Sequence, residues 1–288
     1  MGTTADIVQQ PEGAFSRSLR VGVLVEQRYL SQAQPQGMMT ALRSRGARVV
    51  LIDPEDACYQ TGEDDWFSEL DVVVARGRSW GVLCLLGWLE RRGVPSINSR
   101  AAIAAVHNKA EMAVTLAAAG IPTPRTLLGS TAHIAFTASA HDYPLILKPV
   151  FGDNARGLQV VSNRAQLLAL TWPEPFALAQ SFIAGSEFDL KLYCLGREVF
   201  AVYKPSILFH RNGNQRPEPV PVTPALHELA ARCGEVFGLE RYGVDCIHTP
   251  DGPVVVEVND FPNYSAIPEA DGKLADYVLA RLRKGAMA

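Results

Sequence analysis

Val254-Val255-Val256-Glu257-Val258-Asn259, read together with Tyr242-Gly243-Val244-Asp245 upstream of it, is the stretch on which the fold assignment turns. On a strand, side chains two apart face the same way, so Glu257 and Asn259 point together out of an element that should bury Val254, Val256 and Val258. With Asp245 they supply three hard oxygen donors, a set suited to Mg²⁺, which keeps several waters and binds through one or two carboxylates plus the phosphates of a nucleotide. Taken alone, the Glu-x-Asn pattern also describes a strand with two solvent-facing polar residues. The segments around it decide between these readings.

Upstream, Tyr143-Pro144-Leu145-Ile146-Leu147-Lys148-Pro149-Val150 is a short apolar run ending in a lysine. It is followed by Phe151-Gly152-Asp153-Asn154-Ala155-Arg156-Gly157-Leu158 and a second β-rich run, Gln159-Val160-Val161, which together read as strand, glycine-bounded turn, strand. Glycines let backbone N–H groups turn toward a phosphate, and Lys148 and Arg156 supply charge. The Gly152 to Gly157 spacing matches a P-loop, but Leu158-Gln159 stands where that motif needs Lys-Ser/Thr and a strand follows instead of a helix, so a Walker site is rejected. Further along, Ala177-Leu178-Ala179-Gln180-Ser181-Phe182-Ile183 reads as a strand ending at Ala184-Gly185, and 187–195 alternates as another.

The ordered set Lys109, Lys148, glycine loop, Gln180 to Ile183, Glu187, Asp245, Glu257 and Asn259 resembles the ATP-grasp superfamily over residues 98–282. The resemblance implies an α/β fold of α+β lobes: a small N-terminal parallel α/β domain over 19–98, a central lid subdomain over 99–184 and a C-terminal nucleotide- and metal-binding subdomain over 185–288, after a disordered tail over 1–18. It further implies that Lys109 and Lys148 touch ATP, that Gly152 and Gly157 with Arg156 cover the phosphates, and that Gln180, Ser181, Phe182 and Ile183 meet the adenine. Glu187 would hold the ribose, Lys191 and Lys204 would lie near the phosphates or the substrate, and Asp245, Glu257 and Asn259 would hold Mg²⁺, for which Mn²⁺ can substitute. Lys148, Arg156 and Lys204 are the expected catalytic cations, since phosphoryl transfer needs charge neutralised on the moving group more than it needs a nucleophilic side chain.

Within the superfamily, Lys148-Pro149-Val150-Phe151-Gly152 with Arg156-Gly157-Leu158 resembles the RimK-like amino-acid ligases, which activate a carboxylate with ATP and join it to an amine. Asp260-Phe261-Pro262-Asn263-Tyr264, with Lys204-Pro205-Ser206, resembles instead the ATP-grasp inositol phosphate kinases, whose acceptor is a hydroxyl, and makes Asn263 and Tyr264 candidate substrate contacts. A net charge of −3 argues weakly against an acceptor as anionic as a phosphorylated inositol and favours the ligase. A third reading, an ATP-binding protein without catalysis, is disfavoured because Asp245, Glu257 and Asn259 are all present.

The same charge argues against nucleic acid as a partner; the expected partners are a small carboxylate and a small amine, and a homo-oligomer is compatible with the sequence. Five cysteines, Cys58, Cys84, Cys194, Cys233 and Cys246, form no C-x-x-C pair and read as reduced core residues of a cytoplasmic protein. The longest apolar run, 82–89, is too short to span a membrane, and 1–18 has no signal-peptide core. Strands expected over 19–26, 48–52, 71–75 and 95–98 alternate with helices over 35–45 and 83–92, which argues for a parallel layer. Arg76 and Arg78 sit past the carboxyl end of 71–75, where such sheets bind ligands, and become candidate substrate contacts with Arg211 of the polar loop 209–216. Residues 109–119 and 223–237 read as helices, and Pro217-Glu218-Pro219-Val220-Pro221 as a stiff connector.

Overall fold

The computed structural model describes residues 17–152, 156–185, 187–206 and 216–285, without the side chains of 284 and 285. In chain order the first elements are β1 (Arg20–Val25), α1 (Ala33–Ser44), β2 (Arg48–Ile52), β3 (Val72–Arg76), α2 (Trp80–Arg91), β4 (Ser96–Ile97), α3 (Arg100–His107) and α4 (Lys109–Ala118). The strands pair in parallel in the order β2-β1-β3-β4. Val21, Val23, Val72 and Val74 are buried to near completion, as expected of a parallel sheet covered on both faces. The order reverses between β1 and β3, so the ends of these two strands form the crevice where ligands bind in open sheets. Helix α2 begins at Trp80, earlier than its apolar spacing suggests, because the Ser79 hydroxyl caps it by accepting from Val82 N–H.

Next come β5 (Thr126–Gly129), α5 (Thr131–Thr137), β6 (Leu145–Lys148), β7 (Gln159–Val161), α6 (Arg164–Ala169) and β8 (Ala177–Ser181), whose strands form an antiparallel sheet in the order β5-β8-β6-β7. The remainder comprises β9 (Phe188–Leu195), β10 (Glu198–Pro205), β11 (Glu218–Val220), α7 (Pro224–Phe237), β12 (Arg241–Thr249), β13 (Gly252–Asn259) and α8 (Ala270–Gly285). Its sheet is antiparallel in the order β11-β10-β9-β12-β13. The segment expected to be a stiff connector is therefore the edge strand β11; Pro219 lacks a donor and is tolerated because it lies at the rim of the sheet. Thr223 caps α7 ahead of Pro224, and Gly238 ends it in the left-handed region at φ 67°.

The hydrophobic clusters do not follow chain order. Leu274, Ala275, Val278 and Leu279 of α8 pack with Met38, Leu42 and the first sheet, whereas Ala102, Val106, Met112 and Leu116 of α3 and α4 pack with Leu190, Leu192 and Val244 of the last. Of the cysteines, Cys194, Cys233 and Cys246 are core residues, but Cys58 and Cys84 are exposed, contrary to their reading as core; short apolar neighbours do not bury a residue at a loop or on the outer face of a helix. Among the described residues no helix is long and apolar enough to cross a membrane.

Candidate functional site

One cleft of about 420 Å³ opens where the three sheets meet, a volume within the usual range for small-molecule sites. Its floor is a face of the last sheet. Asp245 on β12 pairs in register with Lys191 on β9 and Glu257 on β13, and Gly243 with Tyr193 and Asn259, so period-two alternation brings Asp189, Lys191, Tyr193, Asp245, Glu257 and Asn259 to the same side. Lys204 joins from β10, opposite Asp189. The facing wall comes from the middle sheet, where Lys148 pairs with Leu178 and Ile146 with Gln180.

The valines of β13 do not follow strict alternation. A bulge between Asp245 and Cys246 pairs Asp245 with Glu257 but Cys246 with Val255, leaving Val256 as the extra residue. Val255 and Val258 are fully buried, while Val254 is only half-buried and Val256 lines the cleft beside Glu257. The expectation that Val254, Val256 and Val258 share the core therefore holds for Val258 alone.

The charges of the floor interlock. Lys109, at the start of α4, pairs with Glu257, and its backbone N–H donates to Val150 O at 3.0 Å, tying that helix to the end of β6. Lys191 Nζ lies 2.9 Å from Asp245 Oδ1, and Asn259 Nδ2 donates to Asp245 Oδ2 at 3.4 Å. Burial pulls the Lys148 ammonium down to about 8; Glu257 and Asp245 oppose this and Lys109 adds to it. Burial also lowers Lys204, with Lys191 adding to the effect. Lys191 is half-buried, and although desolvation lowers it, Asp245 holds it above its ordinary value. Burial raises Asp189 against the hydrogen bond from Ser206. Asp245, Glu257 and Asn259 could hold a hard divalent cation, and two carboxylates with one amide oxygen suit Mg²⁺. Among the described residues no three His, Cys, Asp or Glu side chains converge, so nothing competes with this set.

At the middle sheet, the Thr126 hydroxyl donates to Pro124 O at 2.9 Å and can only accept from Gln180 Nε2, at 3.1 Å. That fixes the amide orientation and leaves Gln180 Oε1 buried without a donor. At the opposite end, Arg76 Nη1 donates to Phe261 O at 2.7 Å and Nη2 to Gln32 Oε1 at 3.1 Å. Arg78 is buried in the cleft wall with its Nε 3.9 Å from Asp260 Oδ1, and its backbone N–H donates to the buried Glu26 carboxylate. Gly77 permits this: at φ +147° its position admits no Cβ, which would stand 2.5 Å from Glu26 Oε1.

Of the residues singled out from sequence, Arg76, Arg78, Lys109, Lys148, Gly152, Arg156, Gln180, Ser181, Ile183, Lys191, Lys204, Asp245, Glu257, Asn259 and Asn263 all line the cleft. Gly157 and Phe182 are not among the lining residues; Gly157, at φ +77°, packs so closely on Pro149 that a Cβ would come within 2.8 Å of it. Glu187 is not a lining residue either, and its carbonyl accepts from Ser206 N–H at 2.8 Å, whereas Asp189 does reach the cleft. The signal for Asp189 was its i, i+2 relation to Lys191 on a strand already legible. Tyr264 is corrected: it is completely buried against Tyr193 and Phe261, its hydroxyl donating to Cys194 O at 3.3 Å, and cannot meet a substrate. Its neighbours are apolar only in three dimensions, so the sequence showed a polar segment where the fold makes core. Arg211 lies outside the described residues. His107 makes an edge contact with Phe151, and His248 a 3.2 Å hydrogen bond with Tyr203.

The model of the ATP-grasp domain matches residues 106–262. The chain is 29% identical over 204 residues to the tetrahydromethanopterin:alpha-L-glutamate ligase of Methanococcus maripaludis, covering 65% of this chain and 69% of that one. Among solved structures, the RimK domain ATP-grasp protein of Sphaerobacter thermophilus superposes with a TM-score of 0.73 at 24% identity, over 90% of this chain and 98% of the other. The ATP-grasp ligase PsnB, solved with a variant of its minimal precursor, Mg and ADP, superposes at 0.71 with 18% identity, over 91% and 98%. The matched span runs from the turn before Lys109 to the corner after Asn259 and so takes in both facing sheets of the cleft; this chain belongs to the ATP-grasp family.

Proposed function

We propose that the protein is an ATP- and Mg²⁺-dependent ligase that activates a carboxylate as an acyl phosphate and joins it to an amine, releasing ADP and phosphate. The observation that carries this is the row Lys191–Asp245–Glu257 across three strands, with Asn259 beside it and Lys148 on the opposite wall. Bound between those walls, Mg²⁺ would neutralise the phosphates and ATP would supply the phosphoryl group. Asp245, Glu257 and Asn259 would hold the cation, and Lys109 and Lys191, which pair with the two carboxylates, orient them. Lys148 is charged at neutral pH and stabilises charge developing on the transferred group. Lys204 and Arg156 enclose the same space, and Ile146, Leu178 and Ile183 with the polar Gln180 and Ser181 form the end suited to a purine.

The glutamate ligase and PsnB are named as ligases, which favours an amine over a hydroxyl as acceptor and sets the kinase reading aside. Amino acids, glutamate first, are the amines to try. ATP as substrate and unpaired thiols support a cytoplasmic setting. Phosphorus NMR of the protein with Mg-ATP and a panel of amino acids, small carboxylates and polyols tests the proposal. ADP and free phosphate appearing only with both a carboxylate and an amine is the expected result; a new phosphoester signal would refute it.

A further inference from the structure

Arg28, Tyr29, Arg76, Phe261 and Arg241 form an alternating stack of guanidiniums and rings across the corner between the parallel sheet and the end of β13. Arg28 Cζ is 4.8 Å from the Tyr29 centroid and Arg76 Cζ 4.0 Å from it; Arg76 is 4.8 Å and Arg241 3.9 Å from the Phe261 centroid. Such contacts strengthen as they are desolvated, and the stack runs from the surface to a fully buried end at Arg241.

Arg241 Nη2 donates to the carbonyls of Ala75 and Ile97, at the ends of β3 and β4, with 2.9 Å to Ile97 O. Its Nε and Nη1 have no hydrogen-bond partner. Replacing a buried charged group by an apolar one of similar volume is often neutral or stabilising, so a buried guanidinium with two unbonded nitrogens points to a role besides stability. What it touches is the corner that follows Asn259. There, Asn98 Nδ2 donates to Arg241 O at 2.6 Å and to Asp260 O at 2.8 Å. Pro262 closes over Gly243, where a Cβ would stand 2.9 Å away, and Asp245 lies four residues beyond Arg241 on the same strand.

We propose that Arg241 is a positioning residue for the cation site: by stacking on Phe261 and forking to Ala75 and Ile97, it holds the Asn259–Phe261 corner against the parallel sheet and so keeps Asn259 beside Asp245. This rests on the Mg-ATP reading of the cleft. The role calls for a planar cation that stacks on a ring and donates to two carbonyls at once, a combination an ammonium does not reproduce. Loosening the corner displaces one cation ligand while leaving the purine end untouched, so metal affinity suffers more than nucleotide affinity.

Mn²⁺ serves as the probe, followed by electron paramagnetic resonance in the presence of ADP, alongside calorimetry of ADP without metal. Arg241→Lys, Arg241→Met and Phe261→Leu should each raise half-saturating Mn²⁺ at least fivefold while metal-free ADP affinity stays within twofold. Phe261→Leu keeps the buried charge and its carbonyl partners, so it decides the matter even if Arg241→Met does not fold. Half-saturation within twofold of wild type in Phe261→Leu and Arg241→Lys, with only a lower melting temperature, would show a purely structural role and overturn the proposal. Failure of the wild-type protein to bind ADP or Mn²⁺ would overturn the nucleotide reading, and this inference with it.

Discussion

Raising the pH from 7 to 9 should weaken ADP binding about tenfold, through Lys148. Burial holds its ammonium at about 8, and phosphates placed against it would return it toward the ordinary lysine value of about 10.4. A cation with a depressed pKa is charged below that value and neutral above it. Affinity that depends on the charge is therefore fully present below pH 7 and declines as the pH rises through 8. About nine-tenths of Lys148 is protonated at pH 7 and about one-tenth at pH 9, which gives the tenfold loss, or about 1.4 kcal/mol, and an uptake of nearly one proton per ADP at pH 9. The terminal phosphate of ADP, with a second pKa of about 6, is about nine-tenths ionised at pH 7 and fully so by pH 9, so its own titration adds little. Calorimetry between pH 7 and 9.5, in two buffers of different ionisation enthalpy, measures both the affinity and the proton. Lys148→Arg, whose charge persists throughout, should bind with a flat profile. A wild-type affinity constant within twofold to pH 9.5, or the same slope in Lys148→Arg, would refute the reasoning.

Two further outcomes follow from the geometry. Gln180 Oε1 is a buried acceptor with its orientation fixed through Thr126, so it should accept from the exocyclic amine of adenine and reject the keto oxygen of guanine by about 1.5–3 kcal/mol; competition between ATP and GTP in wild type and Gln180→Met measures this, and discrimination unchanged in the variant would exclude Gln180 from base reading. The bulge in β13 predicts that Val255→Ala costs about 2 kcal/mol in urea unfolding and Val256→Ala less than about 1 kcal/mol; the reverse order would mean the register is wrong.

Much of the cleft was legible in the sequence because strands project every second side chain to one side. Glu257 with Asn259 could be assigned to one face before their partners were known, and the donor chemistry of that face with Asp245 led to nucleotide and cation; that Lys191 stands in the same row came only from the strand register. The residues that were missed or misread depend on contacts across distant segments. Val256 trades places with Val255 because of a single extra residue opposite β12, a feature that alternation cannot encode. Tyr264 looks like an exposed polar residue until Tyr193 and Phe261 close on it, and Asp189, which was not singled out, lines the cleft two residues beyond Glu187.

The sequence by itself determined the parallel layer of the first strands, the glycine turn between two strands and the shared face of Glu257 and Asn259, since each follows from local periodicity, whereas Lys109 and Lys148 stood out as a nucleotide-binding pair only through the family resemblance. Only the tertiary structure decided that Arg76 is engaged with Phe261 and Gln32 while Arg78 is held in the wall by Glu26 and Asp260. It likewise decided that Arg241, 165 residues from Arg76 in the chain, shares one aromatic ring with it. The physical reason is that stacking and desolvation are properties of where chain segments meet, and loop closure sets those meetings without leaving a local pattern in the residues that make them.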